Sequence, residues 1–240
     1  MIKPKQTLFL FTLLMGIHSG FAQEGGPPML IDDARVADYK EWELNTSFLI
    51  SVTDKVEVAT PHLDLNYGLL PNLQLKIEAP LWLDFMKGQS VDIEVGDVIA
   101  GVKYRFMDEE NSFVSVATFP QYTIYGEKGF LLPVFVEKTY GKYLIGVGVG
   151  HFFGDHNLNR TEVGGLLGYK PNEKLDLMME YFYVKNHFGD YGSNGFVNMG
   201  FRQDLTDKFV LLASFGTQVV TPSGDESERF ISFIGLRSLF

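Results

Sequence analysis

The chain has 240 residues, with 20 Lys and Arg against 30 Asp and Glu, no Cys, 21 Phe, 11 Tyr and 25 Gly. Its formal charge of −10 argues against a nucleic-acid partner, and the lack of cysteine excludes both disulfides and a lipoprotein anchor on an acylated cysteine. A mean hydropathy of +0.03 fits segments that are half apolar and half polar.

Residues 1–22 read as an export signal. Lys3 and Lys5 supply the positive start, Leu8 to Ile17 an apolar run and Gly20-Phe21-Ala22 a small-residue cleavage site. Cleavage after Ala22 removes both lysines and takes the charge to −12. No later stretch reaches the roughly 18 uncharged apolar residues of a transmembrane helix. The best, Phe130 to Phe153, is broken by Glu137, Lys138 and Lys142. A soluble secreted protein and a β-barrel remain.

Residues 23–41 (QEGGPPMLIDDARVADYKE) carry Pro27-Pro28, Asp32-Asp33 and no strand pattern. They form either a disordered periplasmic leader, the common state of a terminus, or a short plug whose Asp32 and Asp33 meet Arg and Lys in a barrel lumen.

From Trp42 to Phe240 the two-residue rhythm recurs in segments of about ten residues, the length a tilted strand needs to cross a bilayer. Upward strands are expected near 42–52, 73–83, 113–124, 143–153, 175–185 and 209–219. Downward strands are expected near 57–67, 96–106, 130–140, 160–170, 194–203 and 228–240. This predicts an all-β chain: a transmembrane antiparallel up-and-down β-barrel over 42–240, of about 12 strands, with both termini periplasmic. Short connectors rich in turn formers lie on the presumed periplasmic side: 68–72, 107–112, Gly141-Lys142, 171–174 and 204–208. The other side has 85–95, 154–159, 186–193 and 221–227.

The pleat divides each strand into two faces. In 73–83 Leu73, Leu75, Ile77, Ala79, Leu81 and Leu83 alternate with Gln74, Lys76 and Glu78. The same split sets Val102 and Tyr104 against Lys103 and Arg105, and Leu177 and Met179 against Asp176 and Glu180. The last strand places Phe230, Ile234, Leu236 and Phe240 on one face. An Arg or Lys on the lipid face costs about 2 to 4 kcal/mol at mid-bilayer, so the charged faces must point inward.

The expected lumen charges are His62, Asp64, Lys76, Glu78, Lys103, Arg105, Glu137, Arg160, Glu162, Asp176, Glu180, Arg202, Arg229 and Arg237. They line either a water-filled channel or a paired network that fills a narrow barrel. Tyr67, Tyr104, Phe106, Tyr140, Tyr143, Tyr169, Phe201 and Phe240 fall near periplasmic strand ends, as a headgroup-level girdle requires. Gly146, Gly148 and Gly150 strip side chains from one wall, which either widens the lumen or admits another segment against the backbone.

Catalytic chemistry has thin support. His151, Asp155, His156, His187 and Asp190 share the outer rim, where a His/Asp pair activates water or holds a metal, but loop residues of this kind are usually only solvated. No Ser/His/Asp order or H-E-x-x-H spacing stands out. Neither an enzyme, a cofactor nor a metal site is therefore expected.

Several motifs occur in a specific order: GPPMLIDD at 26–33, YKEWEL at 39–44, TPHLDLNYGLLPNLQLKIEAP at 60–80, GDVIAGVKYRF at 96–106, ATFPQY at 117–122, LLPVFVEKTYGKY at 131–143 and DLTDK at 204–208. Together they resemble the outer-membrane family named for the meta-pathway of phenol degradation, across almost the whole mature chain. The resemblance implies a transporter-like barrel and carries no agreed catalytic or binding residues. The family's leader usually has Thr before the paired Asp and Pro after it, where this chain has Ile31 and Ala34.

The expected function is passive passage of small solutes, including aromatic or hydrophobic ones, by a monomer in the outer membrane of a Gram-negative bacterium. Its expected partners are outer-membrane lipids, the barrel-assembly machinery and the solutes. A non-conducting structural or surface-interaction barrel is the alternative, and a rim hydrolase a third reading.

Overall fold

The computed structural model describes residues 28–52, 56–85, 92–155, 158–187, 192–220 and 229–240. The expected export signal, residues 23–27 of the leader, His156 and Asp190 lie outside the described residues.

The described strands are β1 (Trp42–Val52), β2 (Val56–Leu70), β3 (Leu73–Phe85), β4 (Asp92–Val95), β5 (Val98–Met107), β6 (Ser115–Thr118), β7 (Gln121–Tyr125), β8 (Gly129–Tyr140), β9 (Tyr143–Gly154), β10 (Arg160–Asn172), β11 (Leu175–Asn186), β12 (Ser193–Asp204), β13 (Phe209–Val220) and β14 (Phe230–Leu239). β4 and β5 pair with successive parts of β3, while β6 and β7 bridge β5 and β8. Each of these two pairs makes one interrupted stave, so fourteen strands form a closed antiparallel barrel of twelve staves. The sheet closes where β1 pairs with β14 from Glu43↔Leu239 to Val52↔Phe230. Trp42 and Phe240 complete the seam by exchanging N–H···O bonds of 2.8 and 3.1 Å.

Both interruptions have local causes. Pro120 has no N–H to give to a ladder, and it separates β6 from β7. At the other break, a Cβ on Gly96 would come within 2.5 Å of the Trp82 indole nitrogen, so the backbone passes close to that ring. Two expectations are corrected here. Residues 92–95, expected in a loop, form β4 and extend their stave, and Phe113 and Val114, expected in a strand, precede β6.

The pleat sorts the side chains. In β3 Leu75 and Ile77 are exposed on the outer wall while Gln74, Lys76 and Glu78 are buried inside. In β9 Ile145, Val147 and Val149 face outward and Gly146, Gly148 and Gly150 inward. The exposed outer residues of neighbouring staves join into an apolar band far beyond the few hundred Å² of a soluble monomer, and only hydrocarbon solvates such a surface without penalty. The short turns gather at the end of the barrel that carries Trp42 and Phe240, called here the seam end. One of them is the two-residue turn after Tyr140, where Gly141 takes a φ of 60°.

A charge on the outer wall should therefore be costly in proportion to depth. Val147→Lys is expected to destabilise the barrel by about 2–4 kcal/mol, and Glu173→Lys, in the exposed β10–β11 turn, by less than about 0.5 kcal/mol. Urea unfolding in lipid vesicles measures both.

Candidate functional site

Residues 28–38 lie inside the barrel and cross it. Just before β1, Lys40 turns the chain at a φ of 67°. Its N–H donates to the Gly68 carbonyl at 2.7 Å, and the Gly68 N–H donates to the Glu41 carbonyl at 3.0 Å. A Cβ on Gly68 would overlap the Asp38 carbonyl oxygen, so only glycine lets the segment enter here. Farther in, the Ala37 N–H donates to Gln74 Oε1 at 2.7 Å. Across the lumen the Glu180 carboxylate accepts the N–H groups of Leu30 and Ile31 at 2.7 and 2.9 Å, and Ser214 donates to the Pro28 carbonyl at 2.7 Å. A segment without its own secondary structure must satisfy its backbone somehow, and here wall side chains do so.

The paired aspartates sit in a basic clamp. Asp32 Oδ1 accepts from Lys103 Nζ at 2.6 Å and from the Asp33 N–H at 2.7 Å. Lys103 also reaches the Asp33 carbonyl at 3.1 Å. The Asp33 carboxylate meets Arg202 at 3.0 Å and Arg35 at 3.1 Å. Burial pushes the Asp33 carboxyl up, but Arg35, Arg202, Lys103 and Arg237 outweigh it and hold the group well below the usual carboxylate range.

Apolar packing surrounds the clamp. Met29, Ile31 and Ala34 are buried against Ala117, Phe119, Phe135, Leu166 and Met178. The inward glycines form the seat. A Cβ on Gly148 would lie 2.9 Å from Ile31 Cδ1, one on Gly164 2.8 Å from the same atom, and one on Gly200 2.6 Å from Met29 Cε. Of the two roles open to the β9 glycines, close approach of another segment is what Gly148 provides. The space left beside Ile31, bounded by Leu131, Pro133 and Phe182, is about 20 Å³, room for about one water.

A second network lines the wall of β1, β2, β3 and β14. His62 Nε2 lies 2.7 Å from Glu78, whose other oxygen is 2.8 Å from Lys76, and Lys76 is 3.6 Å from Asp64. Asn45 links Asp64 at 3.2 Å to Arg237 at 2.9 Å, and Arg237 reaches Glu43 at 3.1 Å. Lys76 and Lys103 both stand over the Phe119 ring, 5.4 and 5.2 Å from its centroid, so one aromatic face joins wall network to clamp.

The other expected lumen charges are spread more widely. Glu137 is buried close to Ala34, and Arg160 pairs with Glu162 at 2.7 Å while stacking over Phe152. Arg105 and Asp176 lie at the seam end, paired with Asp108 at 2.8 Å and Lys170 at 3.3 Å. Arg229 stands at the opposite end, where its carbonyl accepts from Gln218 and Thr217. Glu43, Arg35 and the uncharged Asn45, Asn198 and Ser214 are additions, and inward parity on their strands would have marked all of these but Arg35; Gln74 lies inside, on the polar face where the pleat put it.

The aromatic residues expected as a girdle fall at the seam end. Tyr67 packs on Trp42 at 4.5 Å, Tyr104 on Phe106 at 4.9 Å and Tyr143 on Tyr169 at 5.2 Å. Tyr140 pairs with Tyr143 across the β8–β9 turn, Phe201 with Leu177 across β11–β12, and Phe240 is exposed beside the seam. At the far rim His151 and His187 converge on Thr161 Oγ1, at 3.0 and 2.7 Å, rather than on Asp155, whose N–H donates to Lys128. Among the described residues no three His, Asp or Glu side chains converge as a metal site requires.

No family model and no curated protein matches the chain. Solved structures of similar fold include the COG4313 outer membrane channel from Pseudomonas putida F1, at 14% identity and a TM-score of 0.64, covering 90% of this chain and 100% of that one. They also include the NanC porin, at 11% identity and 0.62, covering 81% and 98%, and the KdgM porin, at 10% and 0.59, covering 82% and 99%. The likeness is one of fold: this chain has the architecture of outer-membrane porins and channels.

Two outcomes follow from the clamp and its seat. Gly164→Val should overpack Ile31 by about 1–3 kcal/mol and speed tryptic cleavage after Arg35 about tenfold, with Ile31→Ala restoring the original rate. Because the Asp33 carboxyl is depressed, its contribution is complete above the ordinary carboxylate range and is lost only as pH falls through the lower folded value. Hydrogen-exchange protection of the Arg35 amide, whose N–H donates to the Asp33 carboxylate at 3.2 Å, should therefore hold from neutral pH down to about pH 4.

Proposed function

We propose that the chain is a monomeric outer-membrane channel of a Gram-negative bacterium, with both termini periplasmic, whose lumen is closed by residues 28–38 acting as a displaceable plug. The observation that carries this reading is the seat itself. The segment is held by hydrogen bonds, ion pairs and contacts with glycines, all of them reversible, inside a fold shared with porins.

Its cargo is small solutes moving passively, aromatic and other hydrophobic compounds among them. Withdrawing Met29, Ile31 and Ala34 would bare Phe119, Phe135, Leu166 and Met178 to the lumen, an apolar surface beside the Lys103 and Arg202 cations. The motif order supports membership of the phenol-degradation family as part of the same proposal. A structural barrel that never conducts is favoured by one observation, the cavity of about 20 Å³ beside Ile31.

Single-channel recording in planar bilayers separates the two readings. Deletion of Gln23 to Lys40, or the milder pair Asp32→Asn and Asp33→Asn, should raise conductance severalfold over the mature chain. Absence of conductance in the folded deletion as well as the mature chain would sink the channel reading. Liposome swelling with phenols against sugars of similar size then tests the cargo, since a rate set by size alone counts against aromatic selectivity.

A further inference from the structure

The far rim carries a polar group on the wrong side of the wall for a lumen function. Register aligns His151, Thr161 and Lys185 in one row across β9, β10 and β11. All three share the outward parity of Val149, Val163 and Tyr183. His187, two residues beyond Lys185, joins them through its ring Nε2 and Thr161, and its backbone N–H donates to the Asn159 carbonyl at 2.9 Å. The two imidazole centroids stand 5.6 Å apart.

Thr161 Oγ1 has one proton to give and two rings to satisfy. Only one ring can accept that proton, and when neutral it carries its own on its other nitrogen, which leaves an N–H donor; the second ring donates to Thr161. Lys185 is exposed and adds a cationic side chain. The nearby strand carboxylates, Glu162 and Glu180, are buried on the lumen side, so they do not neutralise this face. Asp155, the exposed carboxylate of the same rim, follows β9 beside Lys128.

Directly below the row the wall turns apolar, through Val149 and Val163 to Gly165, which is flanked by Val147 and Tyr181. A Cβ on Gly165 would meet nothing within 4 Å, so the wall has a notch there on its lipid side. A cationic, donor-rich row above an apolar notch matches an amphipathic anion. Basic residues at this level gain from anionic headgroups, whereas the same residues deeper in the bilayer are penalised.

We propose that His151, Thr161, Lys185 and His187 form a binding site for the phosphate of an anionic membrane lipid, whose acyl chain lies along the Gly165 notch. The site is independent of the lumen and of its plug.

Native mass spectrometry of the mature chain in detergent tests it with three probes: phosphatidylglycerol, the matching diacylglycerol and inorganic phosphate. Phosphatidylglycerol should bind at least about tenfold more tightly than the other two. The triple variant His151→Gln, Lys185→Gln, His187→Gln should lose that preference, while Lys185→Arg and the seam-end control Lys142→Gln should keep it. If the triple variant does not fold, Lys185→Gln alone should weaken binding severalfold. Equal binding of diacylglycerol, equal loss in Lys142→Gln, or retention by the folded Gln variants would overturn the site. Inorganic phosphate binding as tightly as the lipid would make it a free-anion site and overturn the lipid assignment.

Discussion

Closure of the sheet is the constraint from which the rest follows. In hydrocarbon a backbone N–H or C=O has no solvent partner, so a β-sheet survives there only if its first and last strands find each other. The β1–β14 ladder and the reciprocal bonds of Trp42 and Phe240 meet that demand. Once the sheet is a tube, the pleat makes every second side chain an inside residue, and inside residues face low dielectric unless water fills the space. The lumen charges are therefore obliged to find partners, and most of those described do.

Two kinds of partner meet that obligation. Along β1, β2, β3 and β14 the wall satisfies itself, through His62, Glu78, Lys76, Asp64, Asn45, Arg237 and Glu43. Lys103, Arg202 and Glu180 instead look to the segment before the barrel, for two carboxylates and two backbone N–H groups. Removing that segment would take two carboxylates away from Lys103 and Arg202 and two N–H groups from Glu180, while the self-paired network keeps its own partners. The barrel thus has one permanent polar wall and one whose partners belong to a separable piece of chain.

Much of this was legible in the residues. Alternation alone placed the staves within a few residues, because hydrocarbon outside and polar groups inside impose a period of two that few other environments reproduce. The breaks at Gly96-Asp97 and Phe119-Pro120 were not legible, since they arise from the Trp82 ring and from a proline within an otherwise regular pattern. Phe119 and Phe135 face inward although aromatic, and parity by itself would have read them as an oddity. Gly148 showed that something needed space, but only the position of Ile31 says what. Asp32 and Asp33 suggested a basic partner, and choosing Lys103 and Arg202 from the available cations required the three-dimensional path.

The turn at Lys40 has a kinetic meaning. It joins the seated segment covalently to the rim, and residues 28–40 are thirteen in number, able to span at most about 45 Å when extended. A segment displaced from the lumen stays on this tether, within reach of its own seat. Return is then an intramolecular event, governed by an effective concentration on the order of millimolar and indifferent to how many copies the membrane holds. Each molecule would reset itself, so occupancy of the lumen becomes a property of the single chain rather than of its surroundings.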